Sequence, residues 1–220
     1  MRTVIFDLDG TLADTSGDLI AAANACFRGL GHGDMLDPAA DQATAFAGGR
    51  AMLRLGFERL GVADEAAVDD QYPRLLEWYG ENIDVFTVLY PGAVAAVERL
   101  SAEGYAVGVC TNKPEGLAET LMARLGVRGL FASLIGADTL PVRKPDPAPY
   151  VAAVEQAGGA VARSVLIGDT VTDRKTARAA GVPCVLVTFG PDGRGVEALE
   201  PEALLDDYEA LAGIVARLIG

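Results

Sequence analysis

With 220 residues, 50% of them apolar and 22% charged, the chain has the composition of a globular protein long enough to bury a substantial core. Its 18 basic residues against 31 acidic ones give a net charge of −13, so nucleic acid and anionic membrane surfaces, which reward cationic patches, are excluded as expected partners. A single histidine, His32, excludes a histidine-rich metal centre and is expected to serve only as loop structure.

Arg2 is followed by Asp7 and Asp9, which break any signal-peptide core. No run approaches the roughly 18 apolar residues of a membrane span. Cys26, Cys110 and Cys184 are far apart, without a CxxC pair, and predict buried thiols in a cytoplasmic protein.

In chain order, the first strand is predicted at Val4–Leu8. Roughly 100 residues separate it from the next, Ala106–Cys110, where a βαβ unit needs only about 30. The surplus has helical periodicity at Ser16–Leu30, Pro38–Phe46, Arg50–Leu60 and Glu65–Ile83. It is expected to be an inserted all-helical cap, residues 15–90, in a core made of residues 1–14 and 91–220. Strands follow at Ser133–Gly136, Val165–Gly168 and Cys184–Val187, alternating with helical segments Glu115–Leu125, Ala148–Gln156 and Thr172–Ala180. The strands are short and continuously apolar, as in a parallel sheet covered on both faces. An α/β doubly wound, Rossmann-like sheet is therefore expected, with Leu204–Ile219 as a last helix.

The polar residues of interest follow the strands: Asp7-Leu8-Asp9-Gly10-Thr11, Thr111-Asn112-Lys113, Arg143-Lys144-Pro145, and Gly168-Asp169 with Asp173. In an open α/β sheet these carboxyl ends form the ligand-binding edge. Singly, each segment reads first as a turn, a helix cap or a surface charge. Together they gather four carboxylates, Asp7, Asp9, Asp169 and Asp173, whose repulsion a hard divalent cation would relieve. All-oxygen ligation points to Mg²⁺ rather than zinc. One cation, Lys144 and the neutral donors Thr111 and Asn112 suit a phosphoryl group.

These motifs, in this order, resemble the haloacid dehalogenase superfamily, most closely its phosphoglycolate-phosphatase-like branch with a small helical cap. The resemblance implies that Asp7 is the nucleophile, Asp9 the general acid/base and Lys144 a catalytic phosphoryl ligand. It implies Mg²⁺ bound by Asp7, the Asp9 carbonyl and Asp169, with Asp173 in or behind the ligand set. Thr111, with Asn112 beside it, would also hold the phosphoryl group of a small phosphorylated substrate. The second aspartate argues against dehalogenation. The absence of a cap lysine (the three lysines are Lys113, Lys144 and Lys175) argues against the phosphonate-cleaving branch. A phosphomutase and a non-catalytic phosphoacceptor module stand as alternatives, with Thr11 favouring the phosphatase. In the cap, Gly48-Gly49-Arg50 opens a helix and is either an anion-reading loop or an ordinary turn.

Overall fold

The computed structural model describes all residues, 1–220. Six parallel strands form one sheet: Thr3–Phe6 (β1), Ala106–Cys110 (β4), Ser133–Ile135 (β5), Ser164–Gly168 (β6), Cys184–Val187 (β7) and Ala203–Leu205 (β8). Their order is β5-β4-β1-β6-β7-β8. The short strands Ala13–Asp14 (β2) and Val88–Leu89 (β3) lie on the two passages of the chain into and out of the helical insertion. Residues 1–13 and 89–220 form one compact unit, and residues 14–88 another.

In the sheet unit, β1, β4, β6 and β7 are buried along their whole length, the reason their sequences lack polar alternation. Ala148–Gln156 (α7) and Val171–Ala180 (α8) cover one face. Tyr150, Ala153, Val154 and Ala177 there pack with Ile5, Cys110, Leu166 and Leu186. Ala93–Ala102 (α5) and Leu211–Ile219 (α9) pack on each other and against β4 and β6, and Glu115–Arg124 (α6) packs on β5. All three cysteines are buried and free.

The helical unit contains Ser16–Gly29 (α1), Gln42–Phe46 (α2), Gly49–Arg59 (α3) and Glu65–Glu81 (α4). A Cβ on Gly56 would lie 2.2 Å from the Phe27 ring, so glycine sets how closely α1 and α3 approach. The ring meets Phe57 edge-on at 5.1 Å. No helix of the chain is long and apolar enough to cross a membrane.

Two expectations need correction, and one helix lay outside them. The helix predicted from Pro38 begins only at Gln42. Asp37 accepts from the amides of Ala39 and Ala40, both at 2.8 Å, and so folds the chain into a local turn. The tail is not one helix: Ala203–Leu205 pairs with β7 as a sixth strand, and α9 starts at Leu211. Helix α5 went unpredicted, although its buried Ala93, Ala96, Val97 and Leu100 have helical spacing.

Candidate active site

The parallel register sets Phe6 between Val109 and Ile167. Asp7 follows, its amide donating to the Ile167 carbonyl at 2.8 Å as the ladder ends. β1 is thus flanked by β4 and β6, and the ends of these three strands share one edge. There the Leu8 carbonyl accepts from the amides of Leu12 and Ala13 at 2.9 and 3.1 Å, closing a tight turn. Gly10 in that turn has φ +80°, and a Cβ on it would lie 2.2 Å from Asp169 Oδ2. Only glycine lets this backbone pass the second carboxylate. Thr11 Oγ1 then donates to Asp169 Oδ1 at 3.0 Å.

Asp7, Asp169 and Asp173 each bring a carboxylate oxygen within 4.8 Å of the others. Lys144 Nζ, 1% exposed, stands 2.6 Å from Asp173 Oδ1 and 3.0 Å from Asp7 Oδ1. Burial pushes the Asp7 carboxyl up to about 6 against the pull of Lys144, with Asp173 and Asp9 adding to the rise. Burial, then the charges of Asp173 and Asp7, raises Asp169 well above the usual carboxylate range. For Lys144 burial opposes the charged form, but Asp173 and Asp7 outweigh it and the ammonium is held more firmly than in water.

The residues present fit a hard cation. Asp169 Oδ2 is buried without a hydrogen-bond partner, Asp7 Oδ1 accepts no hydrogen bond, and every donor is an oxygen. Asp173 is differently engaged. Besides the Lys144 pair, its Oδ2 accepts from the amides of Asp169 and Thr170 and from Thr170 Oγ1 at 3.3, 3.2 and 2.9 Å. It closes the first turn of α8 and anchors the lysine at once.

Thr111 is buried at the end of β4, its amide bonded to Ile135 and its Oγ1 accepting from the Lys113 amide at 3.1 Å. Asn112 is exposed, and its Nδ2 donates to the Lys144 carbonyl at 3.0 Å, tying the end of β4 to the Lys144 loop. Asp9 is gripped at Oδ1 by Lys113 Nζ, at 2.6 Å. Arg50 belongs to the helical unit. There it pairs with Asp69 and lies 4.5 Å over the Tyr72 ring. Its helix starts one residue earlier than expected, at Gly49, after Gly48 with φ +99°.

Residues 4–187 match the family model of haloacid dehalogenase-like hydrolases. The chain belongs to that family. Two curated relatives of this haloacid dehalogenase-like hydrolase are phosphoglycolate phosphatases. That of Agrobacterium fabrum is 38% identical over 94% of this chain and 89% of its own. That of Rhodospirillum rubrum is 38% identical over 96% and 89%. A solved structure of a predicted phosphoglycolate phosphatase from Haemophilus somnus 129PT shares the fold, with a TM-score of 0.83 at 24% identity over 97% of each chain.

Two polar residues of the haloacid dehalogenase-like site escaped assignment from the sequence. Lys113 was legible only as the residue after Thr111-Asn112; its burial beside Asp9 is a consequence of how β4 lies against β1. Thr11 favours the phosphatase by resemblance, yet its hydrogen bond to Asp169 spans 158 positions and no local pattern announces it. The assembled edge combines a carboxylate at a strand tip, a second carboxylate two residues on, two buried ammonium groups and an oxygen-lined cation site. Such a set can bind and transfer a phosphoryl group.

Proposed function

We propose that this chain is an Mg²⁺-dependent phosphatase that hydrolyses a small organic phosphate monoester, phosphoglycolate being the first candidate, through an aspartyl phosphate on Asp7. The family and the relatives carry the coarser statement: the chain is a phosphoric monoester hydrolase. The observation that supports the finer reading is the division of labour between two carboxylates. Asp7 lies against Lys144 at 3.0 Å and Asp9 against Lys113 at 2.6 Å. Two carboxylates two residues apart, each with its own cation, occupy different electrostatic environments and so suit different roles.

In this reading the ionised Asp7 carboxylate attacks phosphorus. The bond to the leaving oxygen breaks with its electron pair, and Asp9 gives that oxygen its proton. Water next attacks the phosphorus of the acyl phosphate, Asp9 takes the water's proton, and Asp7 and phosphate are released. Lys144 and Thr111 hold the phosphoryl oxygens, and Asn112 steadies the Lys144 backbone. Asp7, Asp169 and the Asp9 carbonyl would hold Mg²⁺, while Asp173 acts through Lys144 and the start of α8. Bound there, the cation supplies charge neutralisation for the phosphoryl oxygens.

Residues 15–90 are proposed to be a cap that reads the leaving group, with Arg50 as its anion-binding residue. The pair with Asp69 is half exposed, at 43% and 63%, and such surface pairs contribute only about 0–1 kcal/mol. A substrate carboxylate can therefore compete for the guanidinium. The test of the mechanism is acid quench of enzyme mixed with labelled phosphate ester, together with Asp7→Asn. Phosphate on the protein in the wild type and none in the variant is expected. Quenched wild-type enzyme that never carries phosphate, with Asp7→Asn turning over normally, would falsify the assignment.

A further inference from the structure

We infer that Lys113 is a positioning residue for proton transfer by Asp9, an inference that rests on the acid/base role proposed for Asp9. The ammonium is almost wholly buried, with 4% of the side chain exposed, and reaches Asp9 Oδ1 at 2.6 Å. A buried lysine otherwise costs several kcal/mol of desolvation, so a partner is obligatory; the choice of partner is what carries information here. Lys144 already serves Asp7 and Asp173, and Lys113 serves a different carboxylate.

The root of the Lys113 side chain is fixed as firmly as its tip. Its amide donates to Thr111 Oγ1 at 3.1 Å, and its carbonyl accepts from the Ala137 amide at 2.9 Å. Lys113 is therefore pinned to the end of β4 on one side and to the loop after β5 on the other. A carboxylate oxygen held at 2.6 Å by a buried ammonium has its place set, and with it the plane of the carboxylate. For a general acid, direction is a large part of rate: misplacement by about 1 Å can cost about 100-fold.

The experiment compares kcat/KM for phosphoglycolate, whose departing alkoxide needs a proton, with that for p-nitrophenyl phosphate, whose departing phenolate does not. Lys113→Met is expected to lower the first about 10- to 100-fold and the second less than about 3-fold. Lys113→Arg, which can still donate to Asp9, is expected to recover most of the loss. In an Asp9→Asn background, adding Lys113→Met is expected to change nothing further. Should the methionine variant not fold, Lys113→Gln, whose amide ends one atom short of the Nζ position, is expected to show the same split between the two substrates. Equal losses on both substrates, or a loss that multiplies with Asp9→Asn, would overturn the inference and leave Lys113 a purely structural lysine. If Asp9→Asn itself penalises both substrates equally, the acid role of Asp9 falls and that of Lys113 with it. Loss of the Lys113 effect alone leaves the aspartate reading standing, so the two failures are distinguishable.

Discussion

Lys144→Met removes one ammonium and keeps a side chain of similar length. The charge lost is 1% exposed and stands 2.6 and 3.0 Å from two carboxylates, one of them fully buried. Breaking a buried pair by removing one partner costs about 3–5 kcal/mol, because the remaining charge is left desolvated. Asp7, already held up at about 6, can relieve part of that by taking a proton, which favours the lower end. For a chain of this length 1 kcal/mol moves Tm by about 2–4 °C, so a fall of about 6–12 °C is expected at pH 7. Thermal unfolding should be followed by circular dichroism in chelator, since a bound cation would stabilise the folded state by mass action. The sign of the pH dependence is a second check. The raised pKa of Lys144 means its pairing stabilises the fold below pH 10.5 and is lost as pH climbs past that value. In the variant Asp7, held up at about 6, can take a proton at pH 5 but not at pH 8, so the deficit against wild type should be larger at pH 8. A Tm within about 2 °C of wild type at both pH values would refute the electrostatic reasoning.

Chelator should abolish turnover of phosphate esters and Mg²⁺ restore it, with Asp169→Asn weakening metal affinity and rate together; full activity in excess chelator would remove the cation from the scheme. Because Asp7 binds its proton more tightly folded than unfolded (about 6 against 3.8), its contribution in metal-free protein should fall as pH rises between those values. The Asp7→Asn variant should lack that component, so it should appear as the difference between the two stability–pH curves, and curves of identical shape would contradict it. Arg50→Ala should raise KM several-fold for phosphoglycolate and leave p-nitrophenyl phosphate unchanged, the pattern of lost uniform binding; equal effects would confine Arg50 to Asp69 and Tyr72. Within the helical unit, fully buried Asp18 accepts from the Thr87 amide and hydroxyl at 2.8 and 2.7 Å. The hydroxyl can fall back on the Ile83 carbonyl, but Asp18→Ala orphans the Thr87 amide and also the Phe86 amide, which donates to Asp18 Oδ1 at 3.0 Å, and should cost about 3 kcal/mol or more. Hydrogen exchange at Thr87 should accelerate accordingly, and unchanged protection would show that Asp18 does not hold this segment.

Much of the molecule follows from the sequence alone. Short apolar runs such as Val4–Phe6 and Val165–Ile167 state their own burial, because a strand covered on both faces has no solvent side to alternate polar residues onto. The order of motifs identifies the aspartates, since a carboxylate after such a strand stands at the ligand-binding edge whatever lies between the strands. Tertiary structure alone decided the rest. Ala203–Leu205 is too short to reveal a period and became a strand only because Val185–Val187 offered a free edge. Asp173 and Lys113 acquired their partners, Lys144 and Asp9, across 29 and 104 positions of chain. A charged side chain has no periodicity of its own. Its partner is chosen by desolvation, which penalises every buried charge left alone and takes effect only once the sheet has brought the strand ends together.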